Sequence, residues 1–442
     1  MRKTSQATAV MDNALSLEAS KKVIAGGGSS NMRNFGIITP LVLDRASGSR
    51  IWDVEGNDLI DVNMGYGPHL LGYADPDIMG AVAAQLSLGA VTGIPHRLDH
   101  QAGELVAAIV PSIDQVRFAN SGTEAITSAL RLARFVTGRT LVITFDGHYH
   151  GWSETVLRKA AITNDGQNTQ ETLPGAPGMI PEALAHTLQL PWNDPTALER
   201  AFAEHGDRVA AVILEPVCAN AGVVPPAPGF LAHVAGLTRR NGAVLVFDEV
   251  ITGFRVDLGG AQRKYGIQPD LTILSKVLGG GFPVAAFGGG RDIMAPLARN
   301  EAFHAGVYAG NHAAISAVVA TLGKLQADPL LYDRLEDECA DFENALRLAF
   351  AEAGRHVRIA RVGSVMSVAL LTEAPGTDAE CHALVSRTDF AAHRRLQTLC
   401  QDAGVYFHPN PLEPWFLSTA HTRADLAHVV DVISRSLAEP PT

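Results

Sequence analysis

Between about residues 75 and 325, stretches with helical spacing alternate with short apolar runs, and few architectures accommodate that pattern. Helices are expected over 77–89, 99–110 and 123–136, and strands over 115–119, 140–145, 209–214, 243–248, 271–275 and 284–287. Runs as continuous as Val209-Ala210-Ala211-Val212-Ile213-Leu214 suit strands covered on both faces. The alternation therefore predicts an α/β fold of βαβ units around a mainly parallel central sheet. Ligands in such sheets gather beyond the carboxyl ends of the strands.

The flanking segments read differently. A helix over 12–24 ends at Gly26-Gly27-Gly28, and three short strands (41–45, 50–54, 58–63) form a meander with turns at Ser47-Gly48 and Glu55-Gly56-Asn57. Beyond Pro329, Leu335, Cys339, Phe342, Leu346 and Phe350 make one stripe of a long helix. Strands at 357–361 and 364–371, a helix at 388–403, strands near 405–408 and 415–419 and a helix at 422–437 complete an α+β pattern. The expected organisation is an N-terminal segment (1–75) packed with a small C-terminal domain (329–442), and a large domain (76–328) between them.

Composition narrows the function classes. With 47% apolar and 18% charged residues, the chain suits a compact enzyme better than a disordered polymer. The net charge of −11 and the lack of a Lys/Arg block argue against a nucleic-acid partner. Cys218, Cys339, Cys381 and Cys400 show no C-x-x-C or zinc spacing and read as reduced core residues of a cytoplasmic protein. The N-terminus carries no apolar signal core, and no apolar run is long enough to span a bilayer.

Lys276 is the residue least at home in its surroundings. It ends the apolar run Leu271-Thr272-Ile273-Leu274-Ser275 and precedes Val277-Leu278-Gly279-Gly280-Gly281. A strongly hydrated ammonium at a buried strand end can snorkel to the surface. It can also serve as a reactive amine, chiefly as a Schiff base with a carbonyl such as that of pyridoxal phosphate.

Four other segments are expected at the same rim. Asn120-Ser121-Gly122-Thr123-Glu124 opens a helix, whose positive end and free amides suit a phosphate, although Ser121 and Thr123 can also be plain helix caps. Asp248, at the tip of the strand 243–248, suits a protonated ring nitrogen; its neighbour Glu249 can pair with Arg255. In Gly147-His148-Tyr149-His150-Gly151-Trp152 an aromatic side chain can lie flat on a ring, and H-x-H without further ligands does not support a metal site. Glu215 and Asn220, after the strand 209–214, offer polar groups to a cofactor or substrate.

Taken together, the chain resembles the class III pyridoxal-phosphate aminotransferases, and within them the glutamate-1-semialdehyde aminomutase branch. The likeness rests on N-S-G-T-E-A (120–125), G-H-Y-H-G (147–151), E-P-V (215–217), F-D-E-V-I-T-G-F-R (247–255), P-D-L-T-I-L-S-K (269–276) and G-G-G-F-P-V-A-A-F-G-G (279–289). It implies fold type I, pyridoxal 5′-phosphate as cofactor, no metal, and a homodimer with shared active sites. Lys276 would carry the cofactor as a Schiff base and move the proton, and Asp248 would pair with the ring nitrogen. Tyr149 and Val250 would cover the two ring faces, and Ser121, Gly122 and Thr123 would hold the phosphate. Glu215 and Asn220 would line the site. The segment 306–311 matches one that reaches the partner subunit's phosphate, but with Val307 in place of the family's threonine.

On the substrate side the resemblance implies Ser30, Arg33, Tyr66, His69 and Glu413. A guanidinium at Arg33 suits a carboxylate. Tyr66 replaces the usual tryptophan, and Ile162–Asn168, within the loop 153–181, departs from the mutase gating sequence. A mutase must retain its intermediate, whereas a transaminase must release a product and admit a second substrate. The expectation is an aminotransferase of small or medium amines or amino acids with keto or aldehyde acceptors. Aminomutase is the alternative, and a racemase or epimerase on the same scaffold comes third.

Overall fold

The structure is a computed structural model, and it describes residues 12–34, 39–158, 175–375 and 381–439. The N-terminal strands are β1 (Leu43–Ser47), β2 (Arg50–Asp53) and β3 (Asp58–Asp61). The middle of the chain supplies β4 (Gln115–Ala119), β5 (Leu141–Phe145), β6 (Thr187–Leu190), β7 (Val209–Leu214), β8 (Val244–Glu249), β9 (Leu271–Leu274) and β10 (Ala285–Gly289). The C-terminal strands are β11 (Val357–Val362), β12 (Val365–Leu370), β13 (Val405–Tyr406) and β14 (Trp415–Phe416).

Among the described residues, β4 to β10 form one sheet in the order β4-β10-β9-β8-β7-β5-β6. Every residue of β5, β7, β8, β9 and β10 is buried, as their apolar runs require. The sheet is parallel except at β10, which runs antiparallel to both β4 and β9. The cause is the short connection 275–284, since a parallel return takes about a dozen residues or more. The edge strand β6 is an addition to the sequence reading, because Thr187-Leu188-Gln189-Leu190 is too short and too mixed to stand out.

The helix Gly122–Thr137 illustrates the layer over the sheet. Ser121 caps it, its Oγ accepting from the Glu124 amide at 3.3 Å, and Gly138 ends it with φ of +66°. Ile126, Ala129, Leu130 and Ala133 are buried in the cluster that includes Val142, Val246 and Ile273. Burying a side chain such as Leu130 contributes about 2 kcal/mol.

The N-terminal meander is completed from the far end of the chain. β13 pairs in parallel with β3, Val405 opposite Ile60, giving the order β1-β2-β3-β13. Arg50 reaches Asp58 at 2.6 Å and Asp425 at 2.9 Å across the same junction. The stripe Leu335, Cys339, Phe342, Leu346 and Phe350 is buried on the helix Leu331–Glu352, and Cys218 and Cys400 are likewise core thiols. No helix among the described residues is long and apolar enough to cross a membrane.

Gly281 fixes the loop after Lys276. Its φ is +105°, and a Cβ there would lie 2.3 Å from His69 Cε1. Gly281→Ala is expected to destabilise the protein by about 3 kcal/mol, combining overpacking with left-handed strain. A lowered denaturant midpoint checks it; an unchanged midpoint would show that the loop yields freely.

Candidate active site

β9 delivers Lys276 to the carboxyl rim of the sheet. Ser275 Oγ donates to Val284 O at 2.8 Å across the loop, and Val277 and Leu278 are fully buried anchors. Between them Lys276 has a left-handed backbone, φ +45°, which costs about 1–3 kcal/mol for a non-glycine residue. The amine enters a cavity of about 590 Å³ that Asp248, Glu215 and Glu413 also line. Burial pushes the Lys276 amine down to about 8. Glu413 and Glu215 pull the other way, Arg255 adds to the lowering, and Asp248 opposes it.

The cavity joins the strand ends to the N-terminal segment. Asp248, buried near the end of β8, accepts from the Val250 amide at 3.1 Å and contacts His150 Nδ1 at 2.7 Å. A carboxylate only accepts, so His150 Nδ1 carries the proton. Glu215 accepts from the Tyr149 amide at 2.7 Å and from Asn220 Nδ2 at 3.1 Å. Burial raises its pKa to about 7, followed by repulsion from Asp248, while His150, the Tyr149 amide and Asn220 oppose the rise. The Glu215 amide donates in turn to His148 Nδ1 at 2.9 Å. His148 packs on Trp192, ring centroids 4.5 Å apart, and burial, then His150, hold its pKa well below the usual range.

The sequence therefore understated the two histidines of Gly147–Gly151. His150 orients Asp248 and His148 braces Glu215, contacts between separate strand ends that spacing along the chain cannot show. The suggested Glu249–Arg255 pair does not form. Glu249 instead accepts from the amides of Ala261 and Gln262 at 2.6 and 3.0 Å, because the turn at Gly260 brings that helix start against it.

Tyr149, Asn220 and Val250 line the cavity, whereas the expected phosphate residues Ser121, Gly122 and Thr123 are not among its lining residues. A Cβ on Gly122 would lie 3.3 Å from Val250 Cγ2, and one on Gly151 would lie 2.4 Å from Thr123 Oγ1. The helix start thus abuts Val250, and with the Glu124 amide taken by Ser121 Oγ, the amides of Gly122 and Thr123 have no acceptor within the helix. A desolvated amine, a carboxylate held by a protonated imidazole nitrogen and an anion-binding helix start make a donor set that fits pyridoxal phosphate.

Ser30, Arg33, Tyr66 and Glu413 also line the cavity. Tyr66 Oη donates to Met32 O at 2.9 Å, which fixes the loop that carries Arg33. Tyr66→Phe is expected to raise KM for a carboxylate substrate about fivefold with little change in kcat, as one hydrogen bond is lost. Steady-state kinetics check it, and a fall in kcat alone would contradict it. Burial raises the Glu413 pKa, and Lys276 counters the rise.

His69 is not among the side chains lining the cavity. It lies against Tyr73, ring centroids 4.2 Å apart, at the close approach to Gly281. Val307 is 78% exposed and does not meet the cavity of its own chain. Arg158, Gln189, Val385 and Leu412 are wall residues beyond the sequence reading. The departing loop sequence Ile162–Asn168 lies outside the described residues.

Residues 33–433 match the family described as "Aminotransferase class-III". A protein of Thermomicrobium roseum named glutamate-1-semialdehyde 2,1-aminomutase is 41% identical over 437 residues, covering 97% of this chain and 99% of that one. The fold is similar to an omega-transaminase from Sphaerobacter thermophilus, with TM-score 0.89 and 31% identity over 96% of this chain and 97% of that one. It is also similar to a glutamate-1-semialdehyde aminomutase from Pseudomonas aeruginosa PAO1 in complex with PMP, with TM-score 0.85 and 25% identity over 96% and 94% of the two chains. The chain belongs to the class III aminotransferases, a fold type I enzyme family, and its cofactor is pyridoxal 5′-phosphate.

Proposed function

We propose that the protein is an aminotransferase that moves an amino group between a carboxylate-bearing amine donor and a separate keto or aldehyde acceptor. The observation that carries the reading is the mixed lining of the cavity. Met32, Ala221, Ile251, Val385 and Leu412 supply apolar lining, and Arg33 and Arg158 line the cavity with them, Arg158 donating to the carbonyls of Glu154, Leu157 and Ala183. Neither arginine has an ion-pair partner among the described residues. Such a chamber suits exchange of substrates with an apolar body and an anionic end.

Pyridoxal phosphate, when bound, supplies the carbonyl that takes the amino group and a ring that withdraws electrons from the substrate carbon. The protein supplies the rest. Lys276, with its amine free beside the cofactor, would hold and move the proton of the substrate carbon. Asp248 would hold a proton on the ring nitrogen, and His150, 2.7 Å away, keeps that carboxylate in place. Arg33 would orient the donor carboxylate, Tyr149 and Val250 would flank the ring, and the apolar lining would exclude water.

Aminomutase activity is the second reading, favoured by the name of the Thermomicrobium roseum relative. Glutamate-1-semialdehyde given alone to the pyridoxamine-loaded protein separates the two. Little turnover without a keto acid is expected, and 5-aminolevulinate formed without one would overturn the transaminase reading.

As in the family it resembles, two copies would share each site, with Val307 approaching the partner's phosphate. Val307→Thr would add one hydroxyl donor there, slowing cofactor release about fivefold, equivalent to about 1 kcal/mol. Dialysis followed by absorbance measures it; an unchanged release rate would remove Val307 from the phosphate site.

A further inference from the structure

Arg255 is a cation in the wrong place for a merely structural arginine. It is 1% exposed, and it forms no ion pair with a carboxylate among the described residues. Its guanidinium donates to Ser364 Oγ at 3.1 Å, to Leu417 O at 3.0 Å and to Gly67 O, all neutral acceptors, and Nε finds none. Glu249, the carboxylate of the same motif, is consumed by the amides of Ala261 and Gln262 and by Thr252. A buried cation with no counter-ion costs several kcal/mol, as an order of magnitude.

The field reaches Lys276. Arg255 Cζ lies 5.1 Å from the centroid of the Phe416 ring, and Lys276 Nζ lies 5.5 Å from the same centroid. Three carboxylates act on that amine: Glu413 from the loop before β14, Glu215 beyond β7, and Asp248 at the end of β8. All three favour the ammonium form, and Arg255 is the cation that acts against them. Its own surroundings add only Cys339 and Tyr332, both neutral, from the helix Leu331–Glu352, and His69 and His421, which also feel its charge.

We propose that Arg255 is a positioning residue of the reaction acting through Lys276, an uncompensated cation beside Phe416 whose charge opposes that of the three carboxylates facing the lysine nitrogen. A neighbouring cation is one of the known ways to make a lysine nucleophilic. Here the same side chain also ties Gly67, next to Tyr66, to the β12–β14 region, so the field source and the cavity wall move as one piece. The inference rests on the proposed role of Lys276 as the cofactor-bearing amine.

The test is a spectral pH titration of the holoenzyme, which reads protonation of the nitrogen linking Lys276 to the bound cofactor. Arg255→Met is expected to raise the midpoint by about one pH unit, and Arg255→Lys to bring it back toward wild type. Loss of a purely structural arginine would change stability without moving the midpoint. Ser364→Asp serves if Arg255→Met does not fold, because it keeps the guanidinium and places a carboxylate against it. It is expected to raise the midpoint in the same direction. An unmoved midpoint in Arg255→Met, or in Ser364→Asp where only that variant folds, overturns the inference. A wild-type protein with no visible band at all would instead sink the underlying role of Lys276.

Discussion

Lys276→Ala is expected to lower the rate of the amine half-reaction by about 10⁴-fold or more, with the fold intact. The size follows from losing the proton-transferring group, a contribution of about 10²–10⁴ by itself, together with the covalent attachment. Stability is expected to hold or rise, because the substitution removes a desolvated amine whose pKa burial has already pushed down to about 8. The pH profile carries a second signature. The amine is a base only when unprotonated, and burial lowers its pKa, so the wild-type rate is expected to climb with pH through the range where that amine loses its proton. Lys276→Ala should lose that limb as well as the rate. Stopped-flow absorbance with an amine donor measures both, and a variant within tenfold of wild type would remove Lys276 from the chemistry.

The second large effect is at Asp248. Asp248→Asn keeps the shape, and its side-chain oxygen can still accept from His150 Nδ1, now 2.7 Å from the carboxylate. On the proposed reading it removes the negative charge that would hold a proton on the ring nitrogen. The half-reaction is expected to slow by about 10²–10³, the scale of one lost electrostatic partner at a reacting centre. Cofactor binding should weaken far less, since the helix start at Gly122 and the Lys276 linkage remain. An equal loss in binding and rate would mean that Asp248 only anchors the ring. His150→Asn should give a smaller loss of the same kind, because His150 orients the carboxylate and does not replace it.

How much of this was legible in the sequence depends on the distance over which each contact acts. Strand β7, the helix Gly122–Thr137 and the stripe on Leu331–Glu352 are local patterns, and the periodicity predicts each to within a few residues. The reversal of β10 is encoded by a short connection, which the apolar pattern alone does not reveal. The convergence of Lys276, Asp248 and Glu215 on one cavity follows from their places at the carboxyl ends of parallel strands, a consequence of topology.

What the chain did not disclose are contacts set by three-dimensional neighbours. His148 and His150 look like one loop motif, yet one braces Glu215 and the other orients Asp248. Arg255 sits three residues from Thr252 in a motif that suggests a local ion pair, but the turn at Gly260 gives Glu249 to backbone amides and leaves the arginine facing Phe416. His69 follows Tyr66 closely in sequence, but the left-handed Gly281 draws it into packing away from the cavity. Arg158 and Leu412, far apart in the chain, became cavity walls only through folding.

Borohydride reduction of the protein loaded with pyridoxal phosphate, followed by peptide mass analysis, tests the central role of Lys276 most directly. A pyridoxyl mass on the peptide containing Lys276, absent after Lys276→Ala, is the expected result. A stable label on another lysine, or none on a correctly folded and cofactor-saturated protein, would contradict it.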